Sequence, residues 1–200
     1  KHYYVWASFA EKAMSEMGYD HIKTLRGSLD PAHFHRLTDE KRKELRTAQG
    51  LSDEYIIGYV FRNQLRKSVP NLLDGFIKFK KNNPRAKLLL HTHWGEGWNI
   101  PNLIEEKRMN PLDILTTYIC NKCRHYEVRS FAGQEGTCRS CGSAKSLNTT
   151  NTSLGVSEDQ LNEVYNFMDV YCHPFTSGGQ EIPVQEAKLT ELITLVTNYS

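Results

Sequence analysis

The amino-acid sequence predicts an α/β protein built on a Rossmann-like, doubly wound parallel sheet with a small cysteine-rich insertion. Two observations lead to this prediction. From Tyr55 onward, strand-like apolar runs alternate with helix-like segments, and two C-x-x-C pairs interrupt this alternation between Cys120 and Cys141. Strands that alternate with helices form βαβ units, and the strands of such units are parallel. The pattern therefore predicts a layered sheet covered by helices.

The strand-like segments are short apolar runs flanked by polar or turn-forming residues. In chain order they read YIIGYVF, AKLLLHT, DILTTYI, DVYCHPF and ITLVTN. Helices are predicted between them. Ser68 is the expected N-cap of the first, and Ser157 with Gln160 forms a capping box at the start of another. Five strands with helical connections predict a doubly wound sheet.

Composition restricts the classes of function. The 200 residues are 39% hydrophobic and 24% charged, with a formal net charge of +2. Such a chain carries no general attraction for nucleic acid or anionic membranes, so any phosphate site must be local. No apolar run reaches the roughly 20 residues that span a bilayer, and no secretory leader is recognisable. We expect a cytoplasmic protein without a membrane span, and a fragment cut at both ends, since it starts at Lys1 and stops after an apolar run.

The cysteine insertion has the spacing of a structural zinc ribbon. Cys120 and Cys123 form one C-x-x-C pair, and Cys138 and Cys141 form a second pair fourteen residues further on. Each pair offers two thiolates to one tetrahedral ion, and an odd total of five cysteines argues against a disulfide framework. The alternative is four reduced thiols or a redox pair, and it is disfavoured because neither pair follows a strand at the head of a helix. We predict a structural zinc site with no open coordination position.

A second candidate site lies where two predicted strands end. Arg62 follows the first strand, and Lys67 lies at the mouth of the next helix. Ligands of open α/β sheets bind at the carboxyl ends of the strands, and two cations there suit a diphosphate. Further along, a Gly178-Gly179 turn precedes a helix that carries Glu186, a residue able to accept hydrogen bonds from a ribose. Each feature alone is also compatible with a solvated surface or a stabilised helix terminus.

Taken together, the R-x-x-x-x-K spacing, the KLLL strand, the V-S-E helix start and the segment DVYCHPF…IPVQEA resemble the donor-binding domain of family 4 glycosyltransferases. The resemblance runs from Tyr55 to Ser200 around the cysteine insertion. It implies half of a GT-B, two-Rossmann-domain enzyme of retaining type. It further implies that Arg62 and Lys67 hold the donor diphosphate and act in catalysis, that Glu186 binds the ribose, and that the turn approaches the sugar and phosphates through Gly178, Gly179, Glu181, Ile182, Pro183 and Val184.

The sequence departs from the family pattern at two places. The first glutamate of the E-x7-E motif falls on Gly178, so its contact with the transferred sugar is lost unless Glu181 takes its place. The Gly-x-Gly that ends the second strand is replaced by HTHWGEG. His91 or His93 therefore either lines the pocket or is an ordinary packed or surface histidine, and the second interpretation is favoured.

The predicted domain organisation follows from these assignments. Residues 1–53 form an interdomain crossing, residues 54–119 and 146–200 the nucleotide-sugar-binding domain, and residues 120–145 a zinc ribbon expected to fold as a satellite. The intact protein would transfer a sugar from a nucleoside-diphosphate sugar to an acceptor, whereas this piece lacks the N-terminal Rossmann domain and would be inactive alone.

Two alternatives stay open at this point. One is a glycosyltransferase-like binding or assembly module that has lost transfer. The other is a nucleic-acid-binding zinc ribbon that uses Arg124, Arg129, Arg139 and Lys145, although the near-neutral net charge argues against a nucleic-acid partner.

Overall fold

The computed structural model describes residues 2–179 and 181–198 of the chain. The chain divides into two compact units, one ending at Asp30 and the other beginning at Pro31. The predicted crossing segment 1–53 is therefore divided, and its part from Pro31 onward belongs to the unit that holds the sheet. Within the residues described, no helix is long and apolar enough to span a membrane.

The first unit is a small parallel βαβ arrangement. Strand β1 (Tyr4–Val5) and strand β2 (Lys23–Thr24) pair in parallel and are connected through helix α1 (Ser8–Glu16). Gly18 follows the helix with a φ of 88°, a left-handed conformation that glycine adopts without steric cost. Gly18 therefore ends the helical segment.

The second unit contains the remaining helices and strands. They are α2 (Asp39–Ala48), β3 (Tyr55–Val60), α3 (Val69–Lys80), β4 (Ala86–His91), α4 (Ile100–Glu106), β5 (Ile114–Cys120), β6 (Tyr126–Ser130), β7 (Glu135–Gly136), β8 (Leu147–Thr149), α5 (Glu158–Asn166), β9 (Val170–His173), α6 (Ile182–Leu189) and β10 (Ile193–Val196). The five predicted strands are confirmed as β3, β4, β5, β9 and β10. The capping box of Ser157 and Gln160 is also confirmed at the start of α5.

Those five strands form one parallel sheet in the order β10-β9-β3-β4-β5. The chain starts at β3, proceeds outward to β4 and β5, and then returns to build β9 and β10 on the other side of β3. The strand order therefore reverses between β3 and β9. In open α/β sheets, ligands bind at this reversal, outside the carboxyl ends of the strands.

The core lies on both faces of the central strands. Leu88, Leu89 and Leu90 are consecutive in β4 and all fully buried, as expected where helices cover both faces of a parallel sheet. At the centre of β3, a Cβ atom on Gly58 would overlap the side chain of Met168. Glycine is required there because the thioether of Met168 packs directly on the strand backbone.

Ser68 does not cap α3 in the predicted way. Its φ is 51°, and its side chain makes no capping bond to a backbone N–H of the helix. Instead its hydroxyl oxygen accepts a hydrogen bond of 2.9 Å from the side-chain amide of Asn71. The prediction is wrong in this detail, because the hydroxyl accepts from a side chain of the first helical turn and not from a backbone N–H.

The cysteine insertion is joined to the sheet and is not a satellite. Strand β6 pairs with β5 in antiparallel register from Leu115↔Ser130 to Ile119↔Tyr126, and β8 pairs with the end of β5. Val128 of β6 is fully buried and belongs to the main core. The expected independence of residues 120–145 is therefore wrong, because their first arm supplies a strand and a core side chain to the main unit.

Candidate functional site

The loops that follow β3 and β9 are hydrogen-bonded to each other at the strand-order reversal. The N–H of Thr176 donates to the carbonyl of Arg66 at 2.9 Å. The hydroxyl of Tyr59, a buried residue of β3, shares its one proton between the carbonyls of Lys67 at 3.2 Å and Pro174 at 3.0 Å. These bonds fix both loops at the carboxyl ends of the strands and define one crevice.

Lys67 is the buried cation of this crevice. It ends a 3-10 turn, Leu65–Lys67, and only 5% of its side chain is exposed. The ammonium forms an ion pair with Glu181, lies 3.5 Å from Nε2 of His173 and stands 6.0 Å above the ring of Phe175. Lysine is almost never buried without a counter-charge, so the carboxylate of Glu181 is what permits this position.

Glu181 connects two cations. Its carboxylate contacts Lys67 and accepts a hydrogen bond of 3.2 Å from Arg66. Burial alone would raise the pKa of Glu181, but the hydrogen bond and charge of Lys67, together with the charge of Arg66, outweigh burial and lower this pKa. The carboxylate is ionised at neutral pH and occupies the centre of the crevice.

The missing side chain at position 178 explains how Glu181 reaches this place. A Cβ atom on Gly178 would overlap Oε1 of Glu181. The carboxylate of Glu181 therefore occupies space that a side chain at position 178 would fill.

His173 connects the crevice to the core. Its Nδ1 lies 2.7 Å from the hydroxyl of Tyr171, and that hydroxyl donates to the carbonyl of Val60 at 3.0 Å. Nε2 of His173 lies 3.1 Å from the carboxylate of Glu181 and 3.5 Å from the ammonium of Lys67, so the tautomer decides whether this nitrogen donates to the carboxylate or accepts from the ammonium. Burial, assisted by the charge of Lys67, lowers the pKa of His173 to about 4. The ring is neutral at physiological pH.

This buried histidine predicts acid sensitivity. Its pKa is lower in the folded chain than the ordinary 6.5, so the unfolded chain binds more protons between pH 6.5 and about pH 4. The stability that the neutral ring contributes is complete above pH 6.5 and is lost as the pH falls, by about 1.4 kcal/mol per unit. Urea unfolding at several pH values should show this slope, and His173→Gln should reduce it. An identical slope in both proteins would contradict the assignment.

Arg62 and Glu96 form an ion pair between the loops that follow β3 and β4. Nε of Arg62 lies 3.3 Å from the carboxylate of Glu96, and 60% of the arginine side chain is exposed. The loop that carries Glu96 is fixed by reciprocal hydrogen bonds between the side-chain amide of Asn63 and the backbone of Trp98, at 2.9 and 3.0 Å. The two predicted phosphate cations therefore have different environments, since Arg62 is solvated while Lys67 is buried.

The two histidines of the HTHWGEG segment have structural partners. Nδ1 of His91 lies 3.0 Å from the hydroxyl of Thr117, and burial lowers the pKa of His91 to about 4. Nδ1 of His93 lies 3.5 Å from the carboxylate of Glu96. His91 is thus a packed histidine, as favoured from the sequence.

Glu186 lies in α6 and is buried. Its carboxylate accepts a hydrogen bond of 2.6 Å from the hydroxyl of Tyr165. Burial raises the pKa of Glu186 although the bond from Tyr165 acts in the opposite direction. Ile182, Pro183 and Val184 form the first turn of α6, and Gln180, within the predicted sugar-binding turn, lies outside the described residues.

Sequence reasoning did not find Arg66 or His173. Arg66 carried no signal, because nothing in the sequence distinguishes it from a solvated arginine beside Lys67. His173 had one: it ends a strand at the edge where ligands of α/β sheets bind.

The four predicted metal ligands meet at one point. The sulfur atoms of Cys120, Cys123, Cys138 and Cys141 all lie within 4.8 Å of one another, and two of the sulfur–sulfur distances are 3.7 Å. A tetrahedron with zinc–sulfur bonds of 2.3 Å has edges of about 3.8 Å, whereas a disulfide would need about 2.05 Å. The residues therefore fit a zinc ion, and four thiolates leave no position for substrate.

Both cysteine pairs have the same knuckle geometry. The residue after each pair, Arg124 or Gly142, has a positive φ of 61° or 69°. The N–H of each donates back to the carbonyl of the first cysteine of its pair, at 3.1 Å for Cys120 and 2.9 Å for Cys138. The N–H of Cys123 also points to the sulfur of Cys120 at 3.4 Å, and such bonds lower the pKa of the Cys120 thiol. The first knuckle thus stabilises the thiolate of Cys120.

The arginines of the ribbon have partners within the chain. Arg129 lies with its guanidinium 4.7 Å from the ring centre of Tyr118 and 3.5 Å from the buried carboxylate of Glu127. Arg139 approaches the same carboxylate at 3.8 Å, and Arg124 donates to the carbonyl of Gly155. Each of these three guanidinium groups thus has a contact within the chain, while the side chain of Arg139 remains 72% exposed.

Comparison with solved structures gives the fold. The chain matches sucrose-phosphate synthase from Thermosynechococcus elongatus with a TM-score of 0.63 at 14% identity, over 96% of this chain and 39% of that one. It matches the Anabaena HepE protein in complex with UDP-glucose with a TM-score of 0.63 at 12% identity, over 96% and 43%. It matches the C-terminal domain of a group 1 glycosyl transferase from Francisella tularensis with a TM-score of 0.56 at 12% identity, over 84% and 70%.

These likenesses confirm the predicted fold class: the chain has the α/β fold of half a GT-B glycosyltransferase, with a four-cysteine cluster added. It spans only about two fifths of the synthase and of HepE, at 39% and 43%. The sequence matches no family model and no curated protein.

Proposed function

We propose that this chain is the nucleotide-sugar-binding half of a retaining glycosyltransferase of family 4 type. One observation carries the proposal: the crevice at the strand-order reversal holds a lysine that is buried and directed to the ligand-binding edge of the sheet. Burying an ammonium at this edge costs free energy unless the ammonium binds a ligand or pairs with a buried carboxylate. Lys67 pairs with the carboxylate of Glu181 and is also placed to bind a ligand. HepE, which shares the fold, is solved with UDP-glucose.

In this proposal each part of the crevice has a defined role. Lys67 and Arg62 hold the diphosphate and stabilise the charge that develops on it as the sugar leaves. Backbone groups of Gly178, Gly179, Ile182 and Val184 approach the phosphates and the sugar, and Pro183 shapes the turn. Glu186 accepts hydrogen bonds from the ribose, and Glu181 lies beside the sugar. The binding site for the acceptor and any catalytic base would lie on an N-terminal Rossmann domain.

The cysteine cluster has a structural role in this proposal. Cys120, Cys123, Cys138 and Cys141 would hold one zinc ion, which supplies no chemistry to substrate because its coordination is complete. The ion would fix the end of the β5–β6 hairpin and, through β5, the edge of the sheet.

Calorimetry with UDP, GDP, ADP and pyrophosphate tests the nucleotide site. We expect the wild-type chain to bind at least one of these nucleotides, and Glu186→Gln to weaken that nucleotide about tenfold while sparing pyrophosphate, since hydrogen bonds to charged groups contribute about 1.5–3 kcal/mol. Glu163→Gln is the matched control, because Glu163 also accepts from a tyrosine hydroxyl, that of Tyr126. If no nucleotide binds at millimolar concentration, the proposed function is wrong.

A second candidate is a binding module that has lost transfer, and Gly178 favours it. The carboxylate of Glu181 already neutralises Lys67, so the cation is less available to a departing diphosphate. Hydrolysis or transfer of a bound nucleotide sugar by the intact protein would separate the two, since a pure binding module would retain the donor unchanged.

A further inference from the structure

The cation site of the crevice contains its own anion. Lys67 and Arg66 share the carboxylate of Glu181, which is 11% exposed, whereas the two cations are 5% and 41% exposed at their side chains. The three groups together carry one net positive charge. A ligand phosphate that binds Lys67 must therefore do so next to a fixed negative charge.

The distance between that phosphate and the carboxylate is constrained. Two oxygens that accept from one ammonium at about 2.8 Å each lie on the order of 5 Å apart. At this separation, in a partly buried site, one unit of charge changes affinity by about tenfold or more. The number of charges on the bound phosphate thus matters more here than at a solvated site.

Free and sugar-esterified nucleoside diphosphates differ in this respect. The phosphate that carries the sugar has one ionisable oxygen fewer, whereas the terminal phosphate of a free nucleoside diphosphate loses a second proton with a pKa of about 6. At neutral pH the free nucleotide therefore brings about one more negative charge to the phosphate. The esterified form suffers less repulsion from Glu181.

We propose that Glu181 is a specificity-determining residue that makes the site prefer a sugar-esterified nucleoside diphosphate to the free nucleoside diphosphate. This inference rests on the proposed function, because it places the terminal phosphate at Lys67. It assigns the carboxylate a role in rejecting the product of transfer, and its position depends on Gly178, where any Cβ would displace it.

The test is calorimetry of Glu181→Gln with matched ligand pairs: UDP and UDP-glucose, GDP and GDP-mannose, and ADP and ADP-glucose. For the pair that the wild type binds, we expect the free nucleotide to bind about tenfold more tightly to the variant, and the sugar ester at most about threefold more tightly. The preference for the ester should fall accordingly. An unchanged ratio of the two affinities would overturn the inference.

Asp113→Asn is the matched control for removal of a buried carboxylate. Asp113 is 14% exposed and bridges Lys80 and Lys87, at 2.9 Å each, at the opposite ends of the strands. Asp113→Asn should change the free energy of unfolding without changing the ratio of the affinities for the sugar ester and the free nucleotide.

Gly178→Ala is a second, independent variant. Its Cβ would overlap Oε1 of Glu181, the oxygen that accepts from Arg66, and should displace the carboxylate without changing any charge, so the ratio should shift in the same direction as in Glu181→Gln. If Glu181→Gln does not fold, the ratio of affinities measured for Gly178→Ala alone decides whether Glu181 sets the preference. If the wild type binds neither member of any pair, the proposed function fails and this inference fails with it. Binding with an unchanged ratio overturns only the inference.

Discussion

Replacement of Cys138 by serine is expected to abolish stoichiometric zinc binding and to destabilise the folded chain by several kcal/mol. Structural zinc contributes about 10–16 kcal/mol of apparent binding energy in small zinc domains, and this energy is folding energy where the site does not exist in the unfolded chain. Cys138 is fully buried in a small cluster with Tyr118, Cys120 and Leu147. The cluster is too small to maintain the hairpin without the metal.

The replacement of Cys138 is expected to destabilise the sheet as well as the ribbon. Strand β6 pairs with β5 over five residues and contributes Val128 to the main core. Disorder at the cysteine end of this hairpin therefore exposes the edge of β5, whose seven residues are all buried. We expect one cooperative unfolding transition at lower urea concentration, not a native sheet with a loose ribbon.

Elemental analysis and urea unfolding of the wild type, Cys138→Ser and Cys172→Ser provide the measurement. Cys172 is the matched control, because it is a partly buried thiol of β9 outside the cluster. The Cys172→Ser variant should keep one zinc ion per chain. Much less than one zinc in the wild type, or zinc lost with Cys172 and kept with Cys138, would contradict the four-cysteine assignment.

Replacement of Lys67 by methionine is expected to reduce nucleoside-diphosphate affinity by roughly ten- to a hundredfold, the effect of losing one charge-assisted hydrogen bond to phosphate. Methionine preserves most of the apolar volume of the Lys67 side chain, which lies over the ring of Phe175. Arg62→Ala should reduce nucleoside-diphosphate affinity less than Lys67→Met, because solvent screens the charge of a side chain that is 60% exposed.

Lys87→Met is the control for Lys67→Met. Lys87 is a partly buried lysine that contacts a carboxylate, that of Asp113, at 2.9 Å. Because it lies at the amino end of β4, away from the crevice, its loss should leave nucleotide affinity unchanged. Equal nucleotide binding by Lys67→Met and the wild type would show that the diphosphate does not bind at this lysine.

Much of the fold follows from local patterns in the sequence. Alternating strand and helix segments predicted all five parallel strands, because burial on both faces of a strand requires a continuous apolar run such as Leu88–Leu90. The four cysteines were assigned together because tetrahedral coordination by two knuckles imposes a spacing that few other structures need. In both cases, residues close in sequence carry the constraint.

Other features were decided only by the tertiary structure. Strand β6 joins the sheet because the end of β5 is an open edge that an adjacent antiparallel arm can pair with, and no residue of the arm signals this. Glu181 lies on Lys67 because the loops after β3 and β9 meet at the strand-order reversal, although the two residues are far apart in sequence. By itself, the sequence determined the fold class and the four cysteines that meet at one point, and it predicted the strand ends at which a ligand would bind. Which charges neutralise each other there depends on distances across the crevice, and only the packed chain sets those distances.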